Sequence, residues 1–93
     1  MAQGLPLNYA YSYTHITTNT TTNIKTQSGI LNTITINNPG TAWVLTVNDG
    51  ASVIAVITAA AAQSTLVFEC SFITGLSIVT TGTTPGDVTV TWQ

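Results

Sequence analysis

The chain has 93 residues, enough for one domain with a thin core, because a chain of this size buries only about 60–65% of the surface it exposes when unfolded. Its apolar fraction of 44% is that of an ordered globular protein, yet only 4% of its residues are charged, against about 25% in an average domain. A net charge of −2 with Lys25 as the single cationic side chain argues against nucleic-acid binding, which draws its affinity from cations that displace phosphate counterions, and against electrostatic attraction to anionic membranes.

Water-facing positions are therefore left to neutral polar residues, and 20 of them are threonines. Threonine is β-branched and favours extended backbone, while the helix formers Glu, Lys, Arg and Gln are nearly absent. An all-β fold is expected. Cys70 is the one cysteine, so no disulfide can form within the chain and an oxidising compartment is not indicated. The start, MAQGLPLNYA, has neither the basic residues nor the apolar run of a signal peptide. The longest apolar run, VIAVITAAAA, is half the ~20 residues needed to span a bilayer. Synthesis in the cytoplasm without export is the expectation.

In chain order, residues 1–7, with Gly4 and Pro6, read as an arm ahead of a single domain over 8–93. A strand over about 9–17 puts Tyr9, Tyr11, Tyr13 and His15 on one face and Ala10, Ser12, Thr14 and Ile16 on the other. A Thr-rich strand over 20–26 ends at Gln27-Ser28-Gly29. In ILNTITIN, Ile30, Ile34 and Ile36 share a face on which Asn32 is the odd member, with Thr33 and Thr35 opposite. Asn38-Pro39-Gly40 is a tight turn. Trp43, Leu45 and Val47 then fall in one phase of a strand.

Asn48-Asp49-Gly50 is the strongest hairpin signal, with Asp49 and Gly50 suited to the two positive-φ positions of a type I′ turn. SVIAVIT is apolar on both faces, which predicts a well-buried returning strand. The alanines of 59–62 suit a helical turn or a loop. Leu66, Phe68, Cys70 and Phe72 alternate with Val67, Glu69 and Ser71. Gly75 opens LSIVT, TTGTTPGD is a loop, and VTVTWQ aligns Val88, Val90 and Trp92. About eight short strands at roughly ten-residue spacing predict an antiparallel β-sandwich or jelly roll.

The chain has little with which to build an enzyme. His15 is the one imidazole, and Cys70 shares its phase with Leu66, Phe68 and Phe72, which reads as core. Asp49 and Asp87 each sit beside a glycine in a turn, where an Asp side chain bonds local backbone. Nothing brings two carboxylates together as glycoside cleavage requires, and the few His, Cys and acidic residues are scattered rather than spaced as metal ligands. No phosphate-cradling glycine motif is present. Neither enzyme nor cofactor is expected. Tyr9, Tyr11, Tyr13 and His15 have three readings: cover for the domain's own core, an interface with another subunit, or a sugar-binding platform to which Trp43 could add a second aromatic.

The order YSYTHITTNTTTNIKTQSGILNTITIN, WVLTVNDG, TLVFECSFITGLSIVTTG and DVTVTW resembles small β-sandwich structural proteins of tailed bacteriophages. The resemblance covers about residues 9–92 and is most specific at FITGLSIVTTG and DVTV. Asn48 stands where an aromatic is more usual before Asp-Gly, and the 59–63 segment is richer in alanine than the pattern. The resemblance implies a virion component, either a capsid decoration (cement) protein or a head- or tail-fibre domain. It implies major capsid protein or another virion protein as partner, and a homo-oligomer, with a trimer favoured. A receptor- or carbohydrate-binding fibre domain and a self-assembling β filament are the alternatives.

Overall fold

The computed structural model describes residues 11–58 and 63–93. Eight strands follow in order: β1 (Ser12–Ile16), β2 (Thr21–Lys25), β3 (Gly29–Asn38), β4 (Val44–Asp49), β5 (Ser52–Thr58), β6 (Ser64–Phe72), β7 (Leu76–Thr81) and β8 (Asp87–Trp92). They form two four-stranded antiparallel sheets, ordered β1-β8-β3-β6 and β2-β7-β4-β5. The pairs β1–β8, β2–β7, β3–β6 and β4–β5 are the rungs of one long hairpin folded over on itself, the arrangement of a jelly roll. Tyr9 and Ala59–Ala62 lie outside the described residues.

The two inner faces meet in one core, built from alternate residues as the pleat requires. Ile16, Leu31, Ile34, Ile36, Phe72, Val88 and Val90 come from the first sheet; Trp43, Leu45, Val47, Ile57, Leu76 and Ile78 come from the second and its flank. The one buried polar side chain among the described residues, Thr80, is satisfied: its hydroxyl donates to Thr18 O at 2.7 Å and accepts from Thr20 N at 3.1 Å. That pairing ties the β1–β2 connection to β7 and carries no orphan polar atom into the core.

Three expectations are corrected. SVIAVIT is not buried on both faces: β5 is an edge strand, and Val53 and Val56 are each more than half exposed while Ile57 is buried. An edge strand needs one apolar face, and the chain placed its second there without a sheet to cover it. Ile30 does not share a face with Ile34 and Ile36. Leu31 takes the inward place, because the ladder steps two residues on β3, from Leu31 to Thr33, against one on β8, from Trp92 to Thr91. Asn32 is the inserted residue of this β-bulge, which explains its odd position in the alternation.

The hairpin is also one residue out of phase with the expected one. Asp49 pairs with Ser52, so the two-residue turn is Gly50-Ala51, and Gly50 alone takes a left-handed φ, +59°. Gly at the first turn position is the requirement of a type II′ turn.

Candidate interaction face

The outer face of the β1-β8-β3-β6 sheet is the most organised polar surface among the described residues. Its register lays two rows across all four strands: Tyr13, Thr91, Thr33 and Val67 in one, His15, Thr89, Thr35 and Thr65 in the next. Strand spacing makes each row about 14 Å wide, and the rows stand about 7 Å apart. The hydroxyls of Thr33 and Thr91 lie 2.6 Å apart, those of Thr35 and Thr65 3.1 Å, and the Asn32 amide donates to Thr91 Oγ1 at 3.2 Å. These bonds cross strand boundaries and hold the threonine rotamers in a fixed array.

At one end of this face an imidazole meets a carboxylate. His15 Nε2 donates to Asp87 Oδ1 at 2.5 Å, and the Asn37 amide donates to the same oxygen at 3.1 Å and to Thr89 Oγ1 at 3.2 Å. Gln63 in turn donates its amide to the Asn37 carbonyl. Asp87 therefore does not serve its local turn, as its place beside Gly86 suggested. Asp49 does not either. Its carboxylate takes the N–H groups of Ile73 (2.9 Å), Thr74 (2.8 Å) and Gly75 (3.3 Å), clamping the β6–β7 loop from the end of β4.

Both carboxyls are held below the ordinary carboxylate value, Asp87 by the hydrogen bond from His15 and then that from Asn37, Asp49 by the N–H groups of Ile73 and Thr74 and, less strongly, Gly75. A carboxyl with a lowered folded pKa stabilises the fold above its unfolded value, 3.8, and loses that contribution as pH falls through the folded value. Urea unfolding should thus show the protein losing stability as the pH falls below about 4. Asp49→Asn should flatten that slope. His15→Gln should change it less, because an exposed pair of this kind is worth under about 1 kcal/mol.

Of the aromatic candidates, Tyr13 is 73% exposed and Tyr11 44%, so neither covers the core of the described domain. His15 stands beside Tyr13's row, exposed and occupied by Asp87. Trp43 leaves the group: it is 1% exposed in the core, where a platform for sugar or subunit cannot reach it. The Gly86 backbone lies so close to its indole that a methyl at Gly86 would come within 2.7 Å of the ring. Thr89, Thr91, Thr33 and Thr35 were not singled out from sequence. Their signal was the outward phase of TIT and VTVT, which only the register turns into one face.

Opposite this sheet, at the β4–β5 turn, an open recess of about 320 Å³ is lined by Asn23, Lys25, Thr26, Thr74, Leu76 and Ser77. Among the described residues no three His, Cys, Asp or Glu side chains gather as metal ligands would, and no helix is long and apolar enough to cross a membrane. Compared with known proteins, the chain matches no family model, no curated protein and no solved structure.

Proposed function

We propose that this is a non-enzymatic virion structural protein, a capsid decoration (cement) protein that binds the assembled major-capsid lattice and stabilises it. The observation that carries the reading is the outer face of the β1-β8-β3-β6 sheet, a rigid array of Thr, Tyr and Asn in which the Asp87 carboxylate already accepts from His15 and Asn37. Such a surface makes many neutral hydrogen bonds and apolar contacts without the desolvation cost of unpaired charge. The resemblance of FITGLSIVTTG and DVTV to phage structural proteins points the same way. A protein that binds only the assembled shell shifts the equilibrium toward it by mass action, so repeated weak contacts add up over the lattice.

The test uses shells assembled from a tailed-phage major capsid protein, with and without this protein added. Decorated shells should keep the protein from low salt to about 0.5 M salt, because neutral contacts are barely screened. Tyr13→Ala, in a variant whose melting is unchanged, should weaken shell binding at least about tenfold, as loss of a central interfacial aromatic does. Release by salt, or full binding by Tyr13→Ala, would overturn the reading.

A second reading, a carbohydrate- or receptor-binding fibre domain, is favoured by one observation: the exposed rings of Tyr11 and Tyr13 beside a hydrogen-bonding His15–Asp87 pair. Glycan-array binding that disappears in a folded Tyr11→Ala variant would support it over the first.

A further inference from the structure

We infer that two copies of this chain join through their β5 strands, laid antiparallel about a two-fold axis, so that the β2-β7-β4-β5 sheet continues into the second copy. The strand orders leave four edges open among the described residues: β1, β6, β2 and β5. One lysine, three acidic residues and one histidine are all that the chain has. Three of these five lie on the open edges: His15 on β1, Lys25 on β2 and Glu69 on β6. An ionisable side chain on an edge strand opposes the addition of another strand, because pairing strips water from it. Glu69 also takes a left-handed φ of +48°, which interrupts the extended backbone that a new neighbour needs. Strand β5 reads SVIAVIT and carries no ionisable group. Regular pairing does not separate β5 from β6, since each keeps four consecutive pairs with its inner neighbour. Charge does.

The regular part of β5, Ala55–Thr58 against Val47–Val44, alternates between the two faces of its sheet. Ile57 is buried, Ala55 is half-buried against the core, and Val56 is 57% exposed. On the outer face the register sets Thr21, Val79, Thr46 and Val56 in one row across the four strands. That row ends at Val56, a β-branched apolar side chain at the rim of an uncharged edge. A strand suited to a sheet interior has been left with one neighbour.

With no charge to select a charged partner, this edge is recognised by main-chain hydrogen bonds and by apolar side chains at alternate positions. A second β5 supplies both, and no like charges meet across the axis. Parity then limits the register. Directly opposed residues on paired strands share a face, so the outward Val56 and Thr58 can oppose only outward residues, and Ala55 and Ile57 only inward ones. Centring the axis on Val56 sets the two exposed valines against each other and Ala55 against Ile57 of the second copy. The outer row then runs on through both valines, and the half-buried Ala55 gains apolar cover. Centring it on Ile57 would set each Val56 against Thr58 and leave the valines unmatched. A two-fold contact uses the one β5 of each copy, so assembly closes at two chains. It leaves the outer face of the β1-β8-β3-β6 sheet free and does not rest on the proposed capsid role.

Cysteine pairing in the full chain tests both the edge and the register. In a Cys70→Ser background, Val56→Cys places two thiols across the axis, within disulfide reach. Two Thr58→Cys thiols stand four residues out of register, about 13 Å apart along the strands. Val67→Cys, on the β6 edge and 65% exposed, reports chance collision. At about 0.1 mM chain, enough to fill a contact of micromolar Kd, Val56→Cys should link copies at least about tenfold faster than either control, because the contact raises the effective thiol concentration. The native mass of the unsubstituted protein should be that of two chains. Val56→Lys should reduce it to one, with the sheet signal in circular dichroism retained, since the ammonium enters a site already open to water. A native mass of one or three chains for the unsubstituted protein, fibres, a two-chain Val56→Lys variant, or Val56→Cys linking no faster than the controls would overturn the proposal. No shell enters this assay, so its outcome stands apart from that of capsid binding.

Discussion

Replacing Trp43 with alanine should cost about 3–5 kcal/mol of stability, the loss expected when a large aromatic leaves a closed core. Native domains of this size are stable by only about 5–15 kcal/mol, so the variant should melt at least about 12 °C lower or fail to accumulate. The reason lies in how the ring is held. Trp43 is 1% exposed at the entrance to β4 and packs with Leu45, Val47 and Ile78 in one cluster. The Gly86 backbone, at the entry to β8, lies so near its ring that a side chain there would not fit. Trp43 thus locks the β7–β8 loop to the β3–β4 connection, which is further tied by the backbone bonds from Thr41 N to Thr84 O and from Thr83 N to Thr41 O. Removal leaves a void that Gly86, having no side chain, cannot fill. Urea unfolding followed by circular dichroism measures the loss. A change below about 1 kcal/mol, the size of an exposed-site effect, would mean that Trp43 is a surface aromatic after all.

The strands and their inward residues were legible because alternation is a local property. Trp43, Leu45 and Val47 announce their face within five residues, and so do Val88 and Val90. Properties set by distant pairing were not legible. SVIAVIT carries the composition of a central strand, yet its place at the sheet edge depends on β7 taking the other side of β4. Asp49 sits in a turn-like motif, but its partners lie 24–26 residues away in the β6–β7 loop. His15 meets Asp87 across 72 residues. The threonine array has the same origin: each of TIT and VTVT is an ordinary polar face alone, and becomes one surface only when β8 pairs with β3. The tyrosine stripe was visible as a pattern, while the exposure of Tyr13 and the burial of Trp43 separate the two only in three dimensions.

Ile30 and Leu31 should respond in opposite ways to the same substitution, and the contrast is the sharpest available check on the register of β3. Simple alternation from Ile34 and Ile36 places Ile30 in the core and Leu31 outside. The bulge at Asn32 reverses this: Leu31 is fully buried, and Ile30 is 38% exposed. The reversal is secured at both ends. Ile30 and Gln93 exchange backbone hydrogen bonds, N to O at 2.9 Å and O to N at 2.8 Å, which pins the start of β3 against the end of β8. Beyond the slip, the Asn32 amide donates to Thr91 Oγ1 and the Thr33 N–H donates to the same oxygen at 3.1 Å, so the inserted residue's side chain is satisfied on the outer face rather than buried. Leu31→Ala should therefore cost about 2–5 kcal/mol, and Leu31→Lys should prevent folding, since an unpaired charge would enter the core. Ile30→Ala should cost under about 1 kcal/mol, and Ile30→Lys should fold with its ammonium in water. Chemical denaturation of the four variants at one pH reads the result. Equal losses at the two positions, or a larger one at Ile30, would mean that β3 is regular and that the outer threonine face, which depends on the slip to bring Thr33 beside Thr91, is not formed.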